Sequence, residues 1–262
     1  MPVSPSQPGL AMGIVKLFAQ GMQAVLVAHL SAMDVPPALS AHTIRHIQKR
    51  VLPRLVEDFS LPERAIGLLS MDIEDLGLRI YRYRYIERYQ EAISFDDPEM
   101  GAAFASHIHN LRGSEIYVIQ ERGADVLSFL HGLTSDFGVS AGDQKAAFKK
   151  AFKKQFSRHL RERHRIVHAH ERLSLASRMI SLSPLDGADP KVADVFIDVV
   201  AQLLPRISER IGLTDMMSPV EIRQKLKAFQ LNAMDEEAAS MWKCFMTAVE
   251  RTVDPTLLRG LS

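Results

Sequence analysis

Apolar residues recur along this chain at three- and four-residue intervals, the period of an amphipathic helix. Residues 10–33 form an apolar, Ala- and Met-rich run that the Pro36-Pro37 pair stops. Residues 38–59 follow, with Ile44, Ile47, Val51, Leu55 and Phe59 at helical spacing and Pro53 as a kink or split. Ser60 reads as an N-cap, with Pro62 early in the next turn and Glu63 at the capping-box position. Strict alternation in "GLRIYRYRYIERY" would suit a strand, yet Leu78, Tyr81, Tyr85 and Tyr89 also make a helical stripe. Helix is preferred there, because nothing nearby offers a partner strand.

"SFDDPEMG" breaks the pattern and marks a domain boundary. A long helical run follows over 102–131, with a soft point at Gly113-Ser114, and "GLTSDFGVSAGD" is a loop. Ser140 and Asp143 resemble a capping box for the next helix, which carries Phe148, Phe152, Phe156 and Leu160 on one stripe. That helix is expected to run unbroken to about residue 182, where "SPLDGADP" ends it. Further helices are expected over 191–211, 218–231 and 235–253. The fold class is therefore all-α, a helical bundle. Its expected divisions are a tail over 1–9, an N-terminal helical region over 10–97, a helical domain over 98–211 and C-terminal helices over 212–262.

Composition narrows this picture. Hydrophobic residues at 47% and charged residues at 24% of 262 are those of an ordinary globular chain with a sizeable core. Cys244 is the sole cysteine, which excludes an intramolecular disulfide framework and a cysteine zinc site and fits a reducing cytoplasm. The apolar run over 13–30 is interrupted by Lys16, Gln20, Gln23 and His29, so it falls short of a membrane span. The N-terminus has no positive charge ahead of that run and makes a poor signal peptide. The chain has no Gly-rich phosphate loop, no G-x-S-x-G elbow and no H-E-x-x-H motif.

Charge is less ordinary. The net value is +1, yet residues 145–172 hold five Lys and five Arg against two Glu, a local charge of +8 that leaves −7 for the rest. Such a field suits an anionic partner, RNA or DNA being the common one; a solvated basic face is the plainer reading of the lysines alone. Within it stands "RERHRIVHAHERL", four arginines and three histidines in thirteen residues. On a helix, at about 100° per residue, Arg161, His164, Arg165, His168 and Arg172 share one face. Arginines beside a histidine favour its neutral form, which can act as a base, and arginines can hold phosphate.

"RHRIVH", residues 163–168, resembles the R-x4-6-H signature of the HEPN superfamily: an arginine, a polar residue, three more residues, then histidine. The resemblance covers roughly residues 104–182. It implies a four-helix unit that dimerises so that two motifs meet in one cleft, and in many members a metal-independent endoribonuclease, used as a toxin or defence effector. On this resemblance the catalytic residues are Arg163 on the scissile phosphate, His168 in proton transfer and His164 orienting the pair or sharing that transfer. Lys149, Lys150, Lys153, Lys154, Arg158 and Arg165 would bind RNA through its phosphates. No cofactor and no metal are implied. The implied partners are RNA, a second copy of the chain and a regulatory protein, with no membrane.

One departure stands out. On a straight helix Arg163 sits about 140° from His168, whereas Arg161 lies nearer the histidine's face and satisfies the looser spacing. Arg161 is therefore an alternative for the functional arginine. Arg112 and Glu115 on the preceding helix are further candidates for the cleft. Three other readings stay open. One is a metal site of His164, His168 and Glu171, for which no matching carboxylate–histidine pair occurs on another helix. Another is a catalytically silent HEPN-like module that binds nucleic acid or protein. The last is a helical scaffold with a solvated basic face.

Overall fold

A computed structural model describes residues 10–49, 58–86, 98–168 and 219–259. Among these are eight helices and no strand: α1 (Met12–Ser31), α2 (Ala41–Gln48), α3 (Leu61–Tyr83), α4 (Pro98–Asp136), α5 (Lys145–Gln155), α6 (Ser157–His168), α7 (Pro219–Thr252) and α8 (Pro255–Leu258). The all-α reading of the sequence holds. The expected tail over 1–9, the Pro53 kink, Tyr89, residues 94–97 of the expected break, the helix over 191–211 and the stretch 169–182 lie outside the described residues; residues 98–101 of that break are not a break but the start of α4.

The helices make two compact units, neither continuous in sequence. One comprises residues 1–81, 117–157 and 238–262; the other comprises 82–116 and 158–237.

The first unit is organised by aliphatic stripes. On α1, Val15, Ala19, Met22 and Leu26 fall at i, i+4, i+7 and i+11 and are buried. By length and composition α1 does reach what a membrane crossing needs, contrary to the sequence expectation. That stripe packs on helices of its own unit: Ser70 of α3 donates to the Ala19 carbonyl at 3.2 Å, and Phe18 meets Trp242 edge-on at 6.0 Å. Gly77 of α3 permits the approach, since a Cβ there would stand 2.2 Å from Cγ1 of Val15. An aromatic ladder seats α5: Phe148 lies 5.5 Å from Phe152, Phe152 4.6 Å from Phe156, and Phe148 6.5 Å from Phe245 of α7.

Caps follow the sequence in part. Ser60 and Glu63 form the expected reciprocal box, with Ser60 N donating to Glu63 Oε2 at 2.8 Å. At α5 only Asp143 caps, accepting from Lys145 N at 2.8 Å. Ser140 is drawn away, its hydroxyl 2.8 Å from His131 Nδ1 and its backbone bridged to Val253. Asp136, at the end of α4, gathers α2 by accepting from Ser40 N, Ser40 Oγ and Thr43 Oγ1.

Four further expectations change. The basic helix is not unbroken: a turn at Phe156 separates α5 from α6, and Leu160 does not continue the buried phenylalanine stripe. The two last helices are one, α7, because Asp235, read as a helix start, is engaged sideways with Arg84 at 2.5 Å and Met234 and Ala238 continue the core. The tyrosine segment is helical to Tyr83, but its buried line is Ile73, Leu76, Ile80 and Tyr83; the aliphatic residues upstream set which side faces inward. Gly113 does not interrupt α4, which runs through it for 39 residues in all.

Because valine is stiff at χ1 and Val15 is wholly buried, a methyl at position 77 has nowhere to go. Gly77→Ala should destabilise the protein by about 1–3 kcal/mol, the usual cost of overpacking. Adding Val15→Ala should recover part of that loss. Denaturant unfolding of the two single variants and the double variant checks this; additive losses would contradict the contact.

Candidate functional site

Among the described residues of the second unit, one charged side chain, Arg112, is buried. Tyr83 of α3 is 1% exposed and Arg112 of α4 is 8% exposed. Glu237 of α7 reaches both. Arg112 Nη2 donates to both carboxylate oxygens of Glu237 at 2.8 Å, and Arg112 Nε donates to the Tyr83 hydroxyl at 2.9 Å. The Tyr83 hydroxyl in turn donates to Glu237 Oε2. His159 of α6 completes the set, with Nε2 3.1 Å from Glu237 Oε1. One carboxylate thus joins side chains from α3, α4 and α6.

Two of these groups are shifted from their ordinary values. Desolvation, with the Glu237 charge beside it, pushes the Tyr83 phenol well above its usual range despite Arg112, so it stays a neutral donor. Burial alone would raise Glu237, but the hydrogen bond from His159 and the charges of Arg112 and His159 outweigh it and hold the carboxyl at about 2.

The α6 helix has two distinct faces. His159 and Arg163, one turn apart, lie toward α4: a Cβ at Gly113 would stand 3.4 Å from Arg163 Cβ and 3.8 Å from the His159 carbonyl oxygen. Arg163 is half-buried and its Nε is shielded from solvent. Arg158, Arg161 and His164 are exposed. Positions 161, 164, 165 and 168 share a face by helical register; the side chains of Arg165 and His168 lie outside the described residues, as does Glu171 of the metal reading. Among the described residues no group of three His, Cys, Asp or Glu is placed to hold an ion.

The lysines of α5 belong to the first unit and divide likewise. Lys150, Lys153 and Lys154 are exposed. Lys149 is half-buried, its ammonium 2.6 Å from Glu121 of α4, and its carbonyl accepts from Gln120 at 3.2 Å. Lys149 thus has a partner inside the fold.

Of the residues singled out in the sequence, the structure sets Arg161 and His164 on one exposed face and turns Arg163 away from them. Arg112 proves to be a buried ion-pair partner. Tyr83, His159 and Glu237 escaped sequence reasoning; the i, i+4 spacing of His159 and Arg163 was the one available sign. Compared with known proteins, the chain matches no family model, no curated protein and no solved structure.

The folded Glu237 carboxyl lies below its ordinary 4.5, so its contribution is complete above that pH and is lost as pH falls toward 2. The melting temperature should therefore drop between about pH 4.5 and 2. Glu237→Gln should lower it at pH 7 and flatten the acid limb. Arg112→Ala should cost about 3–5 kcal/mol, because it leaves a buried carboxylate unpaired. An acid limb identical in wild type and Glu237→Gln would contradict this assignment.

Proposed function

We propose that the protein is a HEPN-like endoribonuclease, acting as a homodimeric cytoplasmic toxin or defence effector under a regulatory partner. The observation that carries this reading is the outward face of α6, where Arg161 and His164 are exposed one turn apart within a chain segment of charge +8. In the proposed reaction an imidazole takes the proton of a ribose 2′-OH as the oxygen attacks the adjacent phosphorus. The bond from phosphorus to the 5′-oxygen breaks, and that oxygen leaves with a proton from a second acid. The products are a 2′,3′-cyclic phosphate and a 5′-hydroxyl. His168 and His164 serve the two proton transfers, an arginine of α6 neutralises the phosphate, and no metal takes part. Two motifs from two copies would supply one composite cleft by a symmetric contact.

A second reading has its own observation. Arg163, the arginine of the signature, is half-buried with its Nε shielded. A catalytically silent module that binds RNA would need only the exposed basic residues.

Cleavage decides between the two. His168→Ala and His164→Ala should each lower RNA cleavage by about 10²–10⁴-fold, the span of general acid–base groups, with little change in binding or helicity. Cleavage should persist in EDTA, and RNA with a 2′-deoxy at the cut site should resist. Tight binding without cleavage would select the silent module. Loss of cleavage in EDTA would remove the metal-independent mechanism, and sedimentation as a monomer with and without RNA would remove the composite cleft.

The lysines make a separate prediction. Replacing Lys150, Lys153 and Lys154 by Ala should reduce the slope of log affinity against log salt by about 2, at roughly 0.7 per single-strand phosphate contact. Lys149→Ala should leave that slope unchanged. An unchanged slope in the triple variant would show a solvated face.

A further inference from the structure

We infer that Arg161 is the phosphate-binding arginine of α6 and that Arg163 is a positioning residue, locking the helix to its own unit so that the opposite face stays turned outward. The inference rests on the ribonuclease reading above and assigns within it what the sequence leaves open.

Three observations carry it. First, helical register sets positions 159 and 163 about 40° apart and both about 160° or more from position 161. Position 168 falls about 20° from position 161 by the same count. A phosphate held by the side chain at 161 therefore lies over the histidine face, and one held at 163 lies over the other side.

Second, the side carrying 159 and 163 is already committed. His159 is tied to Glu237 at 3.1 Å, and Glu237 is held in turn by Arg112 and Tyr83. Arg163 stands over Gly113: a Cβ there would meet Arg163 Cβ at 3.4 Å, an ordinary van der Waals contact, so α4 and α6 pack directly at this point. Arg163 is half-buried and its Nε is shielded from solvent, so that atom is not offered to an RNA chain.

Third, Arg161 and His164 are exposed, as a group that meets an RNA backbone must be. A guanidinium can grip two phosphate oxygens at once, and lysine cannot reproduce that geometry. A positioning arginine acts differently: it works through packing of its stem and through its charge, both of which lysine keeps in part.

The test uses the full chain and four variants: Arg161→Ala, Arg161→Lys, Arg163→Ala and Arg163→Lys. Three quantities are measured on each: the melting temperature, the salt dependence of binding to a single-stranded RNA oligonucleotide, and the cleavage rate at saturating RNA. Arg161→Ala and Arg161→Lys should leave the melting temperature within about 2 °C, as surface substitutions do. Both should lower cleavage by about 10²-fold or more, the loss seen when one donor to a developing charge is removed, and Arg161→Ala should also reduce the salt slope by about 0.7. Arg163→Ala should lower the melting temperature by several degrees and keep the wild-type slope at a temperature where it is folded. Arg163→Lys should keep most of the wild-type stability and cleavage.

The opposite pattern overturns the assignment. If Arg163→Ala and Arg163→Lys abolish cleavage without a change in melting, while the Arg161 variants cleave normally, Arg163 is the phosphate ligand and the ribonuclease reading stands. If wild-type protein neither binds nor cleaves RNA, the ribonuclease reading falls and the phosphate role of Arg161 falls with it. The melting of the Arg163 variants then still shows whether that residue holds α6 in place.

Discussion

Arg112 carries a permanent charge into a helical interior, and its surroundings are organised by that fact. A buried guanidinium is tolerable only if its donors are used and its charge is matched. Glu237 does both, accepting from Nη2 with both oxygens, and Tyr83 takes up Nε. His159 brings α6 to the same carboxylate. Apolar contacts alone would leave the rotation of α6 about its axis loosely set, because hydrophobic attraction has no direction. A hydrogen-bonded charge network has direction. It selects the face with His159 and Arg163 as the inner one, and helical geometry then makes Arg161 and His164 the outer one.

That selection is the link from packing to chemistry. A reacting phosphate needs a cation and a proton acceptor on the same side of one element, held to within a fraction of an ångström. On the proposed ribonuclease reading, the inner face of α6 would supply the rigidity and the outer face the reagents. The arrangement also divides the basic residues into two kinds. Lys149 and Arg163 are half-buried, whereas Lys150, Lys153, Lys154, Arg158 and Arg161 are exposed. Counting charge along the chain cannot separate them, since both kinds contribute equally to the +8.

The sequence made the helices legible because their signals are local. The Ser60–Glu63 box and the phenylalanine spacing of α5 were read from neighbouring residues and stand in the structure as read. What escaped was non-local. Asp235 looks like a helix start until its pairing with Arg84 is seen. Ser140 looks like a cap until His131 takes its hydroxyl. The break at Phe156 has no proline or glycine to announce it. At the candidate site, the cluster of arginines and histidines was plain, and so was the angular mismatch between Arg163 and His168. Which arginine faces inward depended on Glu237 and Gly113, far away in sequence and carrying no motif.

The central claim is that the outward face of α6 meets RNA. Photo-crosslinking with a single-stranded RNA containing 4-thiouridine, followed by mass spectrometric mapping of the adducts, tests it most directly. The account predicts adducts concentrated on residues 158–168, competed away by unlabelled RNA and weakened by salt. Adducts confined to other helices, or none above a scrambled-charge control, would contradict it.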